Sequence, residues 1–191
     1  MTAYKFPALV HHMTPSDVPS TPNLNTPLDT ALDEMMAWLA PRLGIEWELP
    51  RFQTTYLQSE LGREHFSLNV GAAVKATLKR AYLWDVTTSH LVLLRGFGGF
   101  AGTYIGDKLA VLSDYCLLTI AGLETFTSDN GVDYSRDSQI GSIVHELGHA
   151  WLNSAEHTPD TFMANPHSYP SVNINAAQKR TLVEFIKGNQ W

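Results

Sequence analysis

His145-Glu146-Leu147-Gly148-His149 is the stretch of this 191-residue chain from which its fold and chemistry are read. Around it, Ile140, Ile143, Val144, Leu147 and Trp151 supply apolar positions, and Ser135 or Asp137 can cap the segment. The pattern predicts a helix over residues 138–152. Residues four apart lie on one face of a helix, one turn above the other, so both imidazoles can reach a single metal ion. Glu146 then points beside that ion. Zinc lowers the pKa of a bound water to about 7, and a carboxylate that is not itself a ligand can take the proton. Two ordinary polar histidines on a surface helix are the bland alternative.

A catalytic zinc site takes three protein ligands and keeps one position open. The third ligand must come from elsewhere in the chain. His157 follows the second histidine after seven residues, Ala150-Trp151-Leu152-Asn153-Ser154-Ala155-Glu156. Asn153 tolerates the left-handed conformation that reverses a chain at a helix end, and such a turn would bring His157 back to the metal. Glu156 and His167 compete nearby. Glu184 is the corresponding choice for enzymes that draw a glutamate from a later helix.

Residues 145–163 resemble the metzincin clan of zinc endopeptidases, whose signature is H-E-x-x-H-x-x-G-x-x-H followed by a Met-turn. His157-Thr158-Pro159-Asp160-Thr161-Phe162-Met163-Ala164 is similar to the clan's third ligand and Met-turn. The chain departs from the signature in having seven residues rather than five between the second and third histidines. Leu152 stands where the clan has its glycine. The resemblance implies a zinc-dependent endopeptidase with the ion held by His145, His149 and His157. Glu146 would be the general base, Met163 the apolar floor beneath the ligands, and Tyr169 an oxyanion stabiliser. It further implies an α+β fold, with a mixed twisted sheet, a backing helix, an active-site helix and a small irregular C-terminal subdomain ending in a helix. The substrate would be a peptide or protein, extended along a sheet edge within residues 99–112. Secretion is the location the family favours, although no signal peptide is visible at the N-terminus. A non-catalytic, zinc-containing binding module is the reading from another class.

The rest of the chain bounds these expectations. A net charge of −6 and a pI of about 5.7 give no nucleic-acid footprint. No apolar run reaches membrane-spanning length. The single cysteine, Cys116, excludes a disulfide within the chain and any multi-cysteine zinc site, and its apolar neighbours suggest a buried, inert thiol.

Residues 1–27, punctuated by Pro15, Pro19, Pro22 and Pro27, read as an extended or disordered arm carrying a solvated His11-His12 pair. Residues 28–191 read as a single catalytic domain, with an upper part over about 45–152 and a lower part over about 153–191. Leu28, Leu32, Met35, Met36 and Leu39 share a helical face, and Gly44 ends that helix. Residues 45–57 have strand character broken at Pro50, residues 67–84 read as a helix, and residues 90–95 as a buried strand. The glycine-rich residues 96–102 read as a close-packed loop at a sheet edge. Two more strands are expected over 108–112 and 115–120, and a last helix over 175–187.

Overall fold

A computed structural model describes residues 3–19, 25–48, 54–96, 102–120, 122, 135–164, 169–170 and 172–190. In chain order the elements are β1 (Ala3–Tyr4), β2 (Leu9–Thr14), α1 (Asn25–Leu43), β3 (Glu46–Trp47), β4 (Thr54–Gln58), α2 (Arg63–Leu68) and α3 (Val70–Arg80). They continue with β5 (His90–Leu94), β6 (Gly102–Gly106), β7 (Leu109–Ser113), α4 (Tyr115–Ile120), α5 (Arg136–Leu152) and α6 (Ala176–Gly188). The main sheet has the order β4-β2-β5-β7-β6, parallel throughout except for β6, which pairs antiparallel with β7. β1 and β3 form a separate parallel pair.

Side-chain alternation divides the strands between two cores. Val10, Leu91, Leu93, Ala110 and Leu112 join α1, α4, α5 and α6 in the larger core. Met13, Val92, Leu94, Leu109 and Val111 meet Phe66 of α2 and Val74 and Leu78 of α3 in the smaller one. Because both faces of β5 and β7 are covered, every residue of each is buried. The five apolar residues expected on one face of the first helix are all buried, and Gly44 leaves that helix at φ +72°, where a side chain is disfavoured.

The structure corrects the sequence reading in four places. Residues 9–14, expected within an extended arm, form β2 and pair on both sides, with β4 and β5. The prolines lie outside that strand, and its alternation is short enough to pass as a linker. The helix expected over 67–84 is two, because Asn69 leaves helical geometry and its side chain accepts the Ala72 N–H at 3.0 Å. Residues 115–120 are helical, not a strand: the Asp114 carbonyl accepts the N–H groups of Leu117 and Leu118 and starts a turn. A short apolar run fits either a buried strand or a buried helix. Residues 102–106, all outside the expected strands, form the edge strand β6; residues 97–101 of the glycine-rich stretch lie outside the described residues.

The histidine pair expected in solvent is also relocated. His11 is buried, with its Nε2 3.1 Å from Nδ1 of buried His90, whose own Nε2 lies 3.0 Å from the Asp85 carbonyl. A carbonyl only accepts, so His90 carries its proton on Nε2 and receives a hydrogen bond from His11. Trp84 stacks on the His90 ring, and His12 stacks on Tyr56. Burial, reinforced by His90 and then His12, holds His11 down to about 4 from an ordinary 6.5. A base that binds its proton less well when folded stabilises the fold fully above its unfolded value and loses that contribution as pH falls toward the folded value. Between pH 7 and pH 5 this amounts to about 2 kcal/mol. Urea unfolding at the two pH values is expected to show that loss in the wild type and a clearly smaller one in His11→Asn.

Candidate metal centre and active site

α5 is built to hold its histidines at a fixed end. The Ser135 side chain accepts the Ser138 N–H at its start. At its other end Asn153 takes the left-handed conformation, φ 48° and ψ 45°, and its N–H and that of Ser154 return to the His149 carbonyl. The turn sends the chain back beside the helix. As a result one ligand atom from each of His145, His149 and His157 lies within 4.8 Å of the others. His145 and His149 are buried, and His157 is exposed. The His157 ring lies parallel to that of His145, with centroids 5.2 Å apart, and edge-on to that of His149 at 5.1 Å.

Hydrogen bonds fix which ring nitrogens are available. His145 Nδ1 lies 3.1 Å from the Phe162 carbonyl, and His149 Nδ1 lies 2.6 Å from the Ser154 carbonyl. Both contacts require a proton on Nδ1, which leaves the Nε2 lone pairs as ligands. Those two Nε2 atoms are 3.0 Å apart. Nitrogens tetrahedrally bound to one zinc at 2.0–2.1 Å stand about 3.3 Å apart, close to the separation of these two, so the donor set fits zinc. Burial lowers the proton affinity of His149, and nearby His157 adds to that effect, while the Ser154 carbonyl opposes it. A neutral imidazole is the form a metal needs.

Glu146 projects from the same turn. Its carboxyl is buried, and Oε2 has no hydrogen-bond partner among the described residues. Burial pushes it up to about 7, and a divalent cation beside it would act in the opposite direction. Space for it comes from the edge strand: a Cβ on Gly102 would lie 2.5 Å from Glu146 Cγ. Two residues on, the Tyr104 ring stacks on His149 with centroids 5.6 Å apart, and its hydroxyl donates to Asn153 Oδ1 at 2.9 Å.

Phe162 and Met163 are buried against α5 at Gly148, where a Cβ would lie 2.4 Å from Phe162 Cε2 and 2.5 Å from Met163 Sδ. Thr161 organises this loop. Its hydroxyl donates to the Thr158 carbonyl at 2.8 Å and accepts from the Met163 N–H and from Gln178 Nε2. Gln178 also closes the capping box of α6 with Asn175, so the last helix is tied directly to the loop carrying His157 and Met163.

The other candidates have different surroundings. The ring of Tyr169 packs on Trp38 of α1, at 5.5 Å, and burial raises its hydroxyl above the usual phenol value. Glu184 is exposed on α6, Glu156 is exposed, and His167 lies outside the described residues. Cys116 is buried, and burial pushes its thiol up to about 12, which keeps it protonated. Sequence reasoning missed Gly102, Tyr104, Phe162, Thr161 and Gln178. β-Branched Thr103 and Ile105 flanking Tyr104 carry a strand signal, but nothing local pairs that strand with α5.

The five-stranded mixed sheet ends in an antiparallel edge strand with α5 against it, α1 packs against α5, and an irregular C-terminal part closes with α6, which is the α+β arrangement expected from the sequence. No family model matches the sequence, and no curated protein matches it. Among solved structures, wild-type OgpA from Akkermansia muciniphila superposes with a TM-score of 0.66 over 95% of this chain, at 11% identity. Catalytically inactive OgpA in complex with an O-glycopeptide, glycodrosocin, superposes with a TM-score of 0.63 over 95% of the chain, at 10% identity. In both cases the chain spans 61% of the OgpA chain. Archaemetzincin from Methanopyrus kandleri aligns over 94% of this chain and 96% of its own, at 16% identity and a TM-score of 0.48. Likeness at these identities describes the fold.

Proposed function

We propose that this chain is a zinc-dependent endopeptidase. The observation that supports it most is the convergence of the His145 and His149 Nε2 atoms, each ring oriented by a backbone carbonyl, with His157 beside them and a buried, unpartnered carboxylate oxygen next in sequence. His145, His149 and His157 would hold the ion. When bound there, zinc supplies a Lewis acid that polarises the scissile carbonyl and makes water acidic enough for a carboxylate to deprotonate.

Glu146 does the proton transfer. Oε2 takes a proton from the attacking water and passes it to the departing amine nitrogen, so the carboxylate is regenerated at the end of the cycle. β6 is an edge strand, and an extended peptide can add to such an edge through backbone hydrogen bonds. The O-glycopeptide held by OgpA favours a peptide-class substrate for a chain of similar fold. Tyr169, whose ring packs on Trp38, is the candidate for stabilising the tetrahedral oxyanion through its hydroxyl.

The test is metal analysis of purified protein, together with cleavage of a peptide library in plain and O-glycosylated forms, with and without a chelator. About one zinc per chain and chelator-sensitive cleavage restored by zinc are expected. Protein that takes up no zinc would sink the assignment. Full zinc occupancy with no cleavage of either library would favour a binding module.

A further inference from the structure

Successive residues of a strand point to opposite faces, and β6 uses both. Ile105 reaches toward α3, where a Cβ on Gly71 would lie 2.5 Å from Ile105 Cγ2. Gly102 and Tyr104 face α5, Gly102 against Glu146 and Tyr104 against His149. The Tyr104 ring lies 20° from parallel to the imidazole, so it restricts the rotation that would swing His149 Nε2 away from His145. Its hydroxyl is held by the side chain of Asn153, the same residue whose left-handed backbone ends α5 and whose N–H returns to the His149 carbonyl. Asn153 therefore acts twice on His149, once through the backbone and once through Tyr104.

We propose that Tyr104, held by Asn153, is a positioning residue for the metal ligand His149 and ties the edge strand to the end of the ligand-bearing helix. The inference rests on the zinc reading above. Its chemistry is that of an outer partner of a metal ligand: the Ser154 carbonyl fixes the tautomer, and the tyrosine face fixes the ring plane. Losing such partners usually weakens metal binding by about 10–100-fold.

Three variants separate the parts. Tyr104→Phe keeps the ring and removes the hydroxyl. Asn153→Gly keeps the left-handed backbone, which glycine adopts freely, and removes only the acceptor. Tyr104→Leu removes the aromatic face. Zinc affinity by competition with a chromophoric chelator, and the visible absorption of the cobalt-loaded protein, are the readouts, with steady-state peptide cleavage alongside. Tyr104→Phe and Asn153→Gly are each expected to weaken zinc binding by about threefold to tenfold, and the double variant no more than either alone, since the two groups form one contact. Tyr104→Leu is expected to weaken it by about 10–100-fold and to shift the cobalt spectrum.

Wild-type protein that takes up neither zinc nor cobalt would defeat the zinc reading itself. Wild-type uptake with all three variants within twofold of it would overturn this inference alone. So would a rise in KM with zinc affinity unchanged, because Tyr104 would then touch substrate, and so would additive losses in the double variant. Should Tyr104→Leu fail to fold, the Phe and Gly variants carry the test.

Discussion

Glu146→Ala is expected to bind zinc as tightly as the wild type and to lose about a thousandfold in kcat/KM. The separation follows from placement. In the zinc reading two of the three ligand nitrogens are the Nε2 atoms of His145 and His149, whose orientations depend on the Phe162 and Ser154 carbonyls and not on Glu146. The carboxyl meets the edge strand at Gly102, and Oε2 has no other partner among the described residues. Removing it therefore deletes a proton acceptor and leaves the metal's surroundings in place. Metal analysis and cleavage kinetics of the same preparation check both expectations. A variant as active as the wild type would refute Glu146 as the base.

Gly148→Ala is expected to damage the opposite property. In an isolated helix the substitution would stabilise by about 1 kcal/mol. Here the new methyl would stand 2.4 Å from Phe162 Cε2 and 2.5 Å from Met163 Sδ, both on buried side chains. The helix and the loop below it must part to admit it, and forced packing of that kind costs about 1–3 kcal/mol. The displaced residue is also the one whose carbonyl orients His145. Zinc affinity is therefore expected to fall by about 10–100-fold, as it does when an outer partner of a ligand is lost. Wild-type affinity in this variant would show that the Phe162-Met163 floor does not position the ligands. The two substitutions lie two residues apart, yet one should spare metal and abolish turnover while the other should release metal.

Much of this was legible locally. The period of Ile140, Ile143, Val144, Leu147 and Trp151 marked α5, Ser135 marked its start, and Asn153 its left-handed end, because capping and helical spacing act within a few residues of chain. The burial of β5 on both faces was likewise readable from its unbroken apolar run. Misreadings arose where a segment's state depends on distant partners. Val10 and Met13 face different cores, so β2 carries a strand pattern too short to stand out from a proline-rich neighbourhood until β4 and β5 pair with it. Residues 115–120 are apolar enough for either a strand or a helix, and the Asp114 carbonyl decided between them.

The sequence by itself determined that two imidazoles and a carboxylate share one helical turn, because 3.6 residues per turn leave no other arrangement for residues 145, 146 and 149 once that stretch is helical. Only the tertiary structure decided what surrounds them. The carbonyl of Phe162, the glycine slot at Gly102, the tyrosine face over His149 and the Thr161-Gln178 tie under the loop are each fixed by contacts between separate parts of the chain, whereas the Ser154 carbonyl follows locally from the turn that ends α5. Such contacts depend on how elements well separated in the chain pack together, which no short window of sequence encodes.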